Sequence, residues 1–497
     1  MTLNHVDVLI VGGGLSGIGA ACSLQMNCPK KTYAVLEGRA AIGGTWDLFR
    51  YPGIRSDSDM FTLGYSYRPW VEGKAIADGQ SILNYIIDTA KHYGVDKQIQ
   101  FHHQVKRASW SSKEALWTVE AEHGPNKETI RYTCNFLFVC TGYYSYAEGY
   151  TPVFPGSERF KGQLVHPQKW PEDLAFANKR IIVIGSGATA VTLVPAMAKS
   201  AAQVTMLQRS PTYVVALPAQ DAMANFLRRH LPSKLAYHLV RWRNILYGIY
   251  FYALCRRSPE RVKKWILDRV TGALGADYDV AKHFTPRYNP WDQRMCLVPD
   301  GDLFEAINKG RAAVVTDEID TFTESGIKLR SGQELEGDII VTATGLNLVA
   351  LGDIQISVDG RHVDPGKTLN YKGTMFSGIP NLAASFGYTN ASWTLKSELT
   401  CDYICRVLNY MEQRGYRACV PQNEDPTLTA EPWLNLSSGY IQRVADKLPK
   451  QGSKTPWRLH QNYVKDVLGL KFGSLDDGVM RYLKPTDSLE LKSALPG

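Results

Sequence analysis

Short apolar runs that stop at glycines set the rhythm of this chain. Val6–Val11 ends in Gly12-Gly13-Gly14-Leu15-Ser16-Gly17; an Ala-rich stretch of helical character follows, and then the run Tyr33–Glu37. Strand, glycine turn, helix and strand in that order predict the βαβ unit of a parallel sheet. The pattern returns at Ile181–Ile184, passes through Gly185-Ser186-Gly187-Ala188-Thr189-Ala190, and continues as a helix to about Ser200 and the strand Val204–Gln208. Two further runs, Phe136–Gly142 and Ile339–Gly345, both close in Thr-Gly. In chains with two such units, strand ends of this kind mark where the backbone crosses between domains. The predicted fold class is therefore α/β, with two Rossmann-like dinucleotide-binding domains, one inserted into the other. Residues 1–145 and 346–497 are assigned to the first domain and residues 150–345 to the second. Segment 218–285 interrupts the second domain, and the helical spacing of Leu235–Cys255 and Pro259–Val270 marks it as a helical insertion.

Composition narrows the class. The 497 residues are 44% hydrophobic and 21% charged, which suits two or three packed domains rather than long disorder. The net charge of +8 comes from scattered basic residues, a pattern that favours phosphate-bearing cofactors over nucleic acid. Nine cysteines without a CxxC pair indicate neither a zinc site nor a redox dithiol, and a reduced, cytoplasmic setting is expected. No cluster of His, Cys and carboxylates has metal-ligand spacing. The start of the chain lacks the basic residues and cleavage site of a signal peptide, and Ile245–Cys255 is too short to cross a bilayer. In 235–255, His238, Arg241 and Arg243 alternate with Trp242, Tyr247, Tyr250 and Phe251. A packed helical subdomain is the favoured reading there, with attachment to a membrane surface as the alternative.

The two glycine turns differ where nucleotides are told apart. Gly12, Gly14 and Gly17 form a GxGxxG turn, and Glu37 lies 20 residues past Gly17 at the end of the next strand. A carboxylate there binds a ribose diol and repels a 2′-phosphate, selecting FAD or NAD. In the second turn, Gly185, Ser186, Gly187, Thr189 and Ala190, alanine takes the third glycine's place, and Arg209-Ser210 stand where the first unit has Glu37. An arginine fork and a hydroxyl are what a 2′-phosphate needs. FAD is therefore expected in the first domain and NADPH in the second. The loop from Gly43, Gly44, Thr45 and Trp46 to Asp57 adds a flat indole beside a flavin, and Arg55 and Asp57 are expected to form a charge pair near its ring.

Phe160, Gly162, His166, Trp170 and Pro171 reproduce FxGxxxHxxxWP, the fingerprint of Baeyer–Villiger monooxygenases, and residues 43–57 match that family's second pattern. The similarity runs over nearly the whole chain. The stretches Asp47–Met60 and Asn289–Arg294 resemble the subgroup of mycobacterial ethionamide-activating monooxygenases. The resemblance implies that Arg294 lies over the flavin as the catalytic arginine, partnered by Asp57. It implies that Ser16 and Val105 join the FAD site, that Arg55 and Trp393 stand on the NADP side, and that His166 serves domain motion rather than chemistry. Many members carry lysine beside the catalytic arginine, where this chain has Gln293.

The implied reaction uses NADPH and O2. A C4a-peroxyflavin, guarded from water and held by Arg294, converts ketones to esters or lactones and oxidises sulfides or thioamides. Two rivals share the nucleotide units: a flavin-containing N- or S-monooxygenase that leaves ketones untouched, and a non-enzymatic NADP/FAD-binding redox sensor. A flavin disulfide reductase is disfavoured, because no cysteine pair follows the first glycine turn.

Overall fold

The computed structural model describes residues 4–485 and 487; residues 1–3, 486 and 488–497, including the end of the segment assigned to 346–497, lie outside the described residues. Asn4–Val11 runs in the middle of an 11-stranded sheet, parallel to Tyr33–Leu36 on one side and to Glu128–Val139 on the other. Val8, Leu9 and Ile10 are wholly buried, as a parallel strand covered on both faces must be. Leu116–His123 and His103–Ser111 extend the sheet antiparallel. Later segments join it as well: Gln355–Val358 pairs with His103–Ser111, and Leu382–Ala384 pairs with the end of Glu128–Val139. On one face the helix Leu15–Asn27, buried from Leu15 to Leu24, packs against the helix Trp393–Arg414.

The second sheet has five parallel strands in the order Ala312–Thr316, Gln203–Gln208, Arg180–Ile184, Ile339–Thr342, Gln163–Val165. The helix Ala188–Met197 follows its glycine turn. The helices Ala222–His230, Ser233–Arg257, Pro259–Leu274 and Val280–His283 fall within the predicted insertion. The two chain crossings are fastened to each other: Tyr144–Gly149 and Leu346–Leu348 form an antiparallel ribbon with Leu346 opposite Gly149 and Leu348 opposite Tyr144. Among the described residues no helix is long and apolar enough to cross a membrane.

Candidate active site

The two glycine turns are built alike. Gly12 N–H donates to Leu36 O and Gly185 N–H donates to Leu207 O, both at 2.8 Å. Their φ angles, +107° and +133°, suit only glycine. A Cβ on Gly12 would stand 2.6 Å from Cys140 O, and one on Gly185 would strike Ala343 O. The two strand ends closing in Thr-Gly are thus the walls against which each first glycine is pressed. A Cβ on Gly17 would collide with Gly12 O, so the third glycine lets the helix close onto the turn. The helices begin at Gly14 and Gly187 without a side-chain cap, leaving their first N–H groups free for an anion. Gly187 has open space around it, as the close approach of a pyrophosphate requires, and Ala190 is buried.

Glu37 is buried, and its carboxylate accepts from Gly13 N–H at 2.6 Å and from Arg39 N–H at 2.8 Å, fixing it at the mouth of the first turn. The second unit requires a correction of one residue. Val11 pairs with Leu36 and Ile184 with Leu207, so the counterpart of Glu37 is Gln208, not Arg209. Gln208 is buried, and its amide donates to His283 O and Thr316 Oγ1. The second unit therefore lacks the repelling carboxylate, while Arg209, one position on, is exposed and makes no ion pair or hydrogen bond among the described residues. Ser210 is exposed beside it, and its carbonyl accepts from Ser186 Oγ at 3.0 Å. The two cradles thus differ at their mouths: the first carries a fixed carboxylate, and the second an exposed guanidinium without an acidic partner among the described residues.

The loop 43–57 stitches the two cradles together. Gly43 N–H donates to Gly13 O, and a Cβ on Gly44 would stand 3.1 Å from Gly14 Cα. Thr45 lies near the Tyr146 hydroxyl, and Trp46 packs half-buried on the core of the first sheet. Farther along, the Tyr51 hydroxyl lies near Thr189, and a Cβ on Gly53 would press on Ala196 and Thr192 of the second unit's helix. Arg55 does not form the expected pair with Asp57. Its guanidinium bonds Asp302 at 2.5 Å, on the helix Asp302–Asn308, and its backbone bridges to Asp78.

Arg294 and Asp57 meet where the cradles face each other. Arg294 ends the turn Asn289–Arg294, in which Gln293 bridges back to Pro290. Asp292 braces that turn: its carboxylate accepts from Arg256 and its carbonyl from Ser437 N–H. Arg294 Nε donates to Thr389 O at 3.4 Å. Burial opposes the guanidinium's charge, but Tyr143, Tyr440, Tyr144 and then Asp57 outweigh it, so Arg294 holds its proton more tightly than usual. Asp57 is exposed, yet protein is packed closely around it. That crowding raises its pKa, against the pull of Arg294 and then Arg55. The two charges sense each other across the cleft without a direct salt bridge.

The tyrosines around Arg294 escaped the sequence reading. Tyr143 and Tyr144, joined hydroxyl to hydroxyl at 3.0 Å, directly follow Thr141-Gly142, and that adjacency was the available signal; Tyr440 offered none. Trp393 stands on the first cradle rather than beside the second: its indole stacks on Tyr143 with centroids 5.4 Å apart and donates to Ser16 Oγ. The Val105 side chain is buried in the core with Leu9 and Leu36, which leaves only its main chain to meet a nucleotide.

In the fingerprint, Phe160 packs edge-on against Phe322, and Gly162 admits the Phe160 ring and Asp338 O at close range. Trp170 packs on the core of the second sheet. His166 lies at the crossing ribbon, its ring against Gly149, where a Cβ would overlap it. Its Nδ1 accepts from Gln168 N–H at 3.1 Å, which leaves Nε2 to donate to Gly345 O at 3.3 Å. Among the described residues no group of His, Cys, Asp and Glu is placed to hold a metal ion.

Two facing dinucleotide cradles with a fixed guanidinium between them define a flavoprotein oxidoreductase. The family model described as flavin-binding monooxygenase-like matches residues 74–350, and that of an NAD(P)-binding Rossmann-like domain matches residues 10–72. The chain is 54% identical to the FAD-containing monooxygenase EthA of Mycobacterium tuberculosis over 481 residues, covering 97% of this chain and 98% of that one. Steroid monooxygenase, solved oxidised and bound to NADP, superposes with a TM-score of 0.75 at 22% identity over 97% of this chain and all of its own. Cyclohexanone monooxygenase in its open form gives 0.71 at 21% identity, over 85% of this chain and 90% of its own. The chain belongs to the flavin-binding monooxygenase-like family, and it is an FAD-containing monooxygenase with an NAD(P)-binding Rossmann-like domain.

Proposed function

We propose that this enzyme uses NADPH and O2 to insert one oxygen atom into ketones, giving esters or lactones, and to oxidise sulfides and thioamides. We assign residues 1–145 and 346–497 to the FAD domain and 150–345 to the NADP domain. The observation that carries the reading is Arg294, a guanidinium set near Tyr143, Tyr440, Tyr144 and Asp57 and holding its proton more tightly than usual. When bound, FAD supplies hydride acceptance and the activation of dioxygen.

Around it the chain's own residues do the rest. Glu37 holds the ribose diol of FAD. Arg209 and Ser210 hold the 2′-phosphate of NADPH, and Gly187 lets the pyrophosphate approach. Arg294 meets the negative charge that develops on a substrate carbonyl oxygen as oxygen is added to its carbon. Braced by Thr389 O and the Asp292 turn, it needs no rearrangement to do so. Asp57 biases the guanidinium toward the cleft floor, and Tyr143, Tyr144 and Tyr440 keep bulk water from it. A reduced, cytoplasmic setting agrees with nine cysteines that are all free and buried.

The test is product identification from a ketone and sulfide panel with FAD-loaded enzyme, NADPH and O2. Arg294→Ala should lose oxygenation by on the order of 100-fold or more while NADPH still reduces the flavin. Normal ester formation by that variant would refute the role. Sulfoxides without any ester would assign the enzyme to N- or S-oxygenation instead.

A further inference from the structure

The helical insertion was expected to pack away its apolar residues, and half of it does. Along Ser233–Arg257 the face bearing Ala236, Val240, Arg241 and Ile245 is buried. On the opposite face Leu235, Leu239, Trp242, Leu246 and Tyr250 recur every three or four residues and are open to solvent, Leu246 to 52% and Tyr250 to 64%. Phe226, on the preceding helix, is 59% exposed. The Trp242 ring meets Tyr463 at 5.8 Å, and the element continuing from Tyr463 exposes Leu468 and Phe472. So large a set of apolar and aromatic side chains, grouped on neighbouring elements, marks a docking surface rather than scattered exposure.

Charge identifies the occupant. The 25-residue helix contains no acidic residue. Arg229, Lys234 and Arg257, beside or on the open face, are exposed and without an acidic partner among the described residues. A second copy of the chain docked about a twofold axis would set these cations against themselves, with no carboxylate on the helix to answer them. An anionic lipid surface answers both features: it takes the Leu, Trp and Tyr side chains into the headgroup boundary and the cations among its phosphates. We propose that the outer face of Ser233–Arg257, with Phe226 beside it, docks this enzyme onto an anionic bilayer without spanning it. On its inner face Ile245 packs against Tyr388 and Leu395, which flank Thr389, so the docked helix stands directly behind the loop that braces Arg294.

The test is sedimentation of the FAD-loaded enzyme with vesicles of phosphatidylcholine alone and of phosphatidylcholine mixed with phosphatidylglycerol, at low and high salt. The enzyme should pellet with the mixed vesicles, less so at high salt, where the surface charge is screened. Leu246→Ser combined with Tyr250→Ser, and Arg229→Glu combined with Lys234→Glu, should each weaken partitioning about tenfold or more, with flavin content and NADPH oxidation unchanged. Failure to bind mixed vesicles at low salt, equal binding to both vesicle types, or binding indifferent to both double variants would overturn the proposal. So would a lipid-free dimer that Leu246→Ser with Tyr250→Ser disperses, since a second copy would then cover the face.

Discussion

The indole N–H of Trp393 donates to Ser16 Oγ at 2.8 Å, joining the first turn of one helix to the start of another 377 residues later. Ser16 is buried at the N-terminus where the FAD pyrophosphate is expected, so the bond fixes both the glycine turn and the ring stack of Trp393 on Tyr143. Trp393→Phe keeps an aromatic ring but strands a buried hydroxyl. The loss of about 1 kcal/mol predicts flavin release roughly fivefold faster, with little change in the rate of NADPH oxidation. Flavin fluorescence after dilution measures the release, and an unchanged rate would mean that the bond does not support the cofactor.

Arg209 has no ion-pair or hydrogen-bond partner among the described residues, so its removal should cost nothing except in the presence of a 2′-phosphate. Arg209→Ala is expected to raise KM for NADPH by about 10- to 100-fold, the value of a charge-assisted contact, while KM for NADH stays constant. Steady-state kinetics with both coenzymes decide it. Equal losses with the two would show that Arg209 does not read the phosphate. Gln208→Glu, which restores the carboxylate of the first unit, should also select against NADPH.

Arg241 fastens the helical insertion to the first domain. Its guanidinium is buried and donates to Phe61 O, Gly64 O and the Glu398 carboxylate at 2.8 Å. Glu398→Gln leaves that charge uncompensated in the interior, and a loss of about 3–5 kcal/mol in unfolding free energy is expected. Replacing both members with methionine should recover much of it. Denaturant unfolding of the three variants provides the comparison; no loss in the single variant would mean that water solvates the pair.

Burial lowers the pKa of His166, against smaller upward pulls from the carbonyls of Gly345 and Tyr150. A histidine depressed in the folded state is neutral there, while the unfolded chain takes up a proton near pH 6.5. The stability it contributes is thus complete above that pH and is lost as the pH falls below it. The thermal midpoint of the wild type should drop between pH 7 and pH 5 more steeply than that of His166→Gln. Parallel curves would place the proton uptake elsewhere.

The glycine turns were legible because the backbone geometry they impose can be met by almost no other residue. The slip from Gln208 to Arg209 arose because a polar side chain ended the apparent strand. Gln208 nevertheless remains inside, its amide satisfied by His283 O and Thr316, and only the sheet register reveals its equivalence with Glu37. Arg55 was misassigned for a related reason. The nearby Asp57 was a plausible partner in sequence, but Asp302, 247 positions away, is the partner in space. The surroundings of Arg294 come from Asp57, Tyr143, Thr389 and Tyr440, segments with no common periodicity, so no local pattern could assemble them.

The antiparallel ribbon of Tyr144–Gly149 and Leu346–Leu348 constrains how this molecule can open. Because outgoing and returning backbones are laced together, the five-stranded layer cannot slide away on one tether while the other lags. The His166 ring packs against the same ribbon at Gly149, so the fingerprint segment is anchored at the point of lacing. The insertion bridges both layers: Val262, Ile266 and Val270 share the core of the five-stranded sheet, while Arg241 is bonded to Phe61 O and Gly64 O on the other side, so these helices tie the layers together a second time.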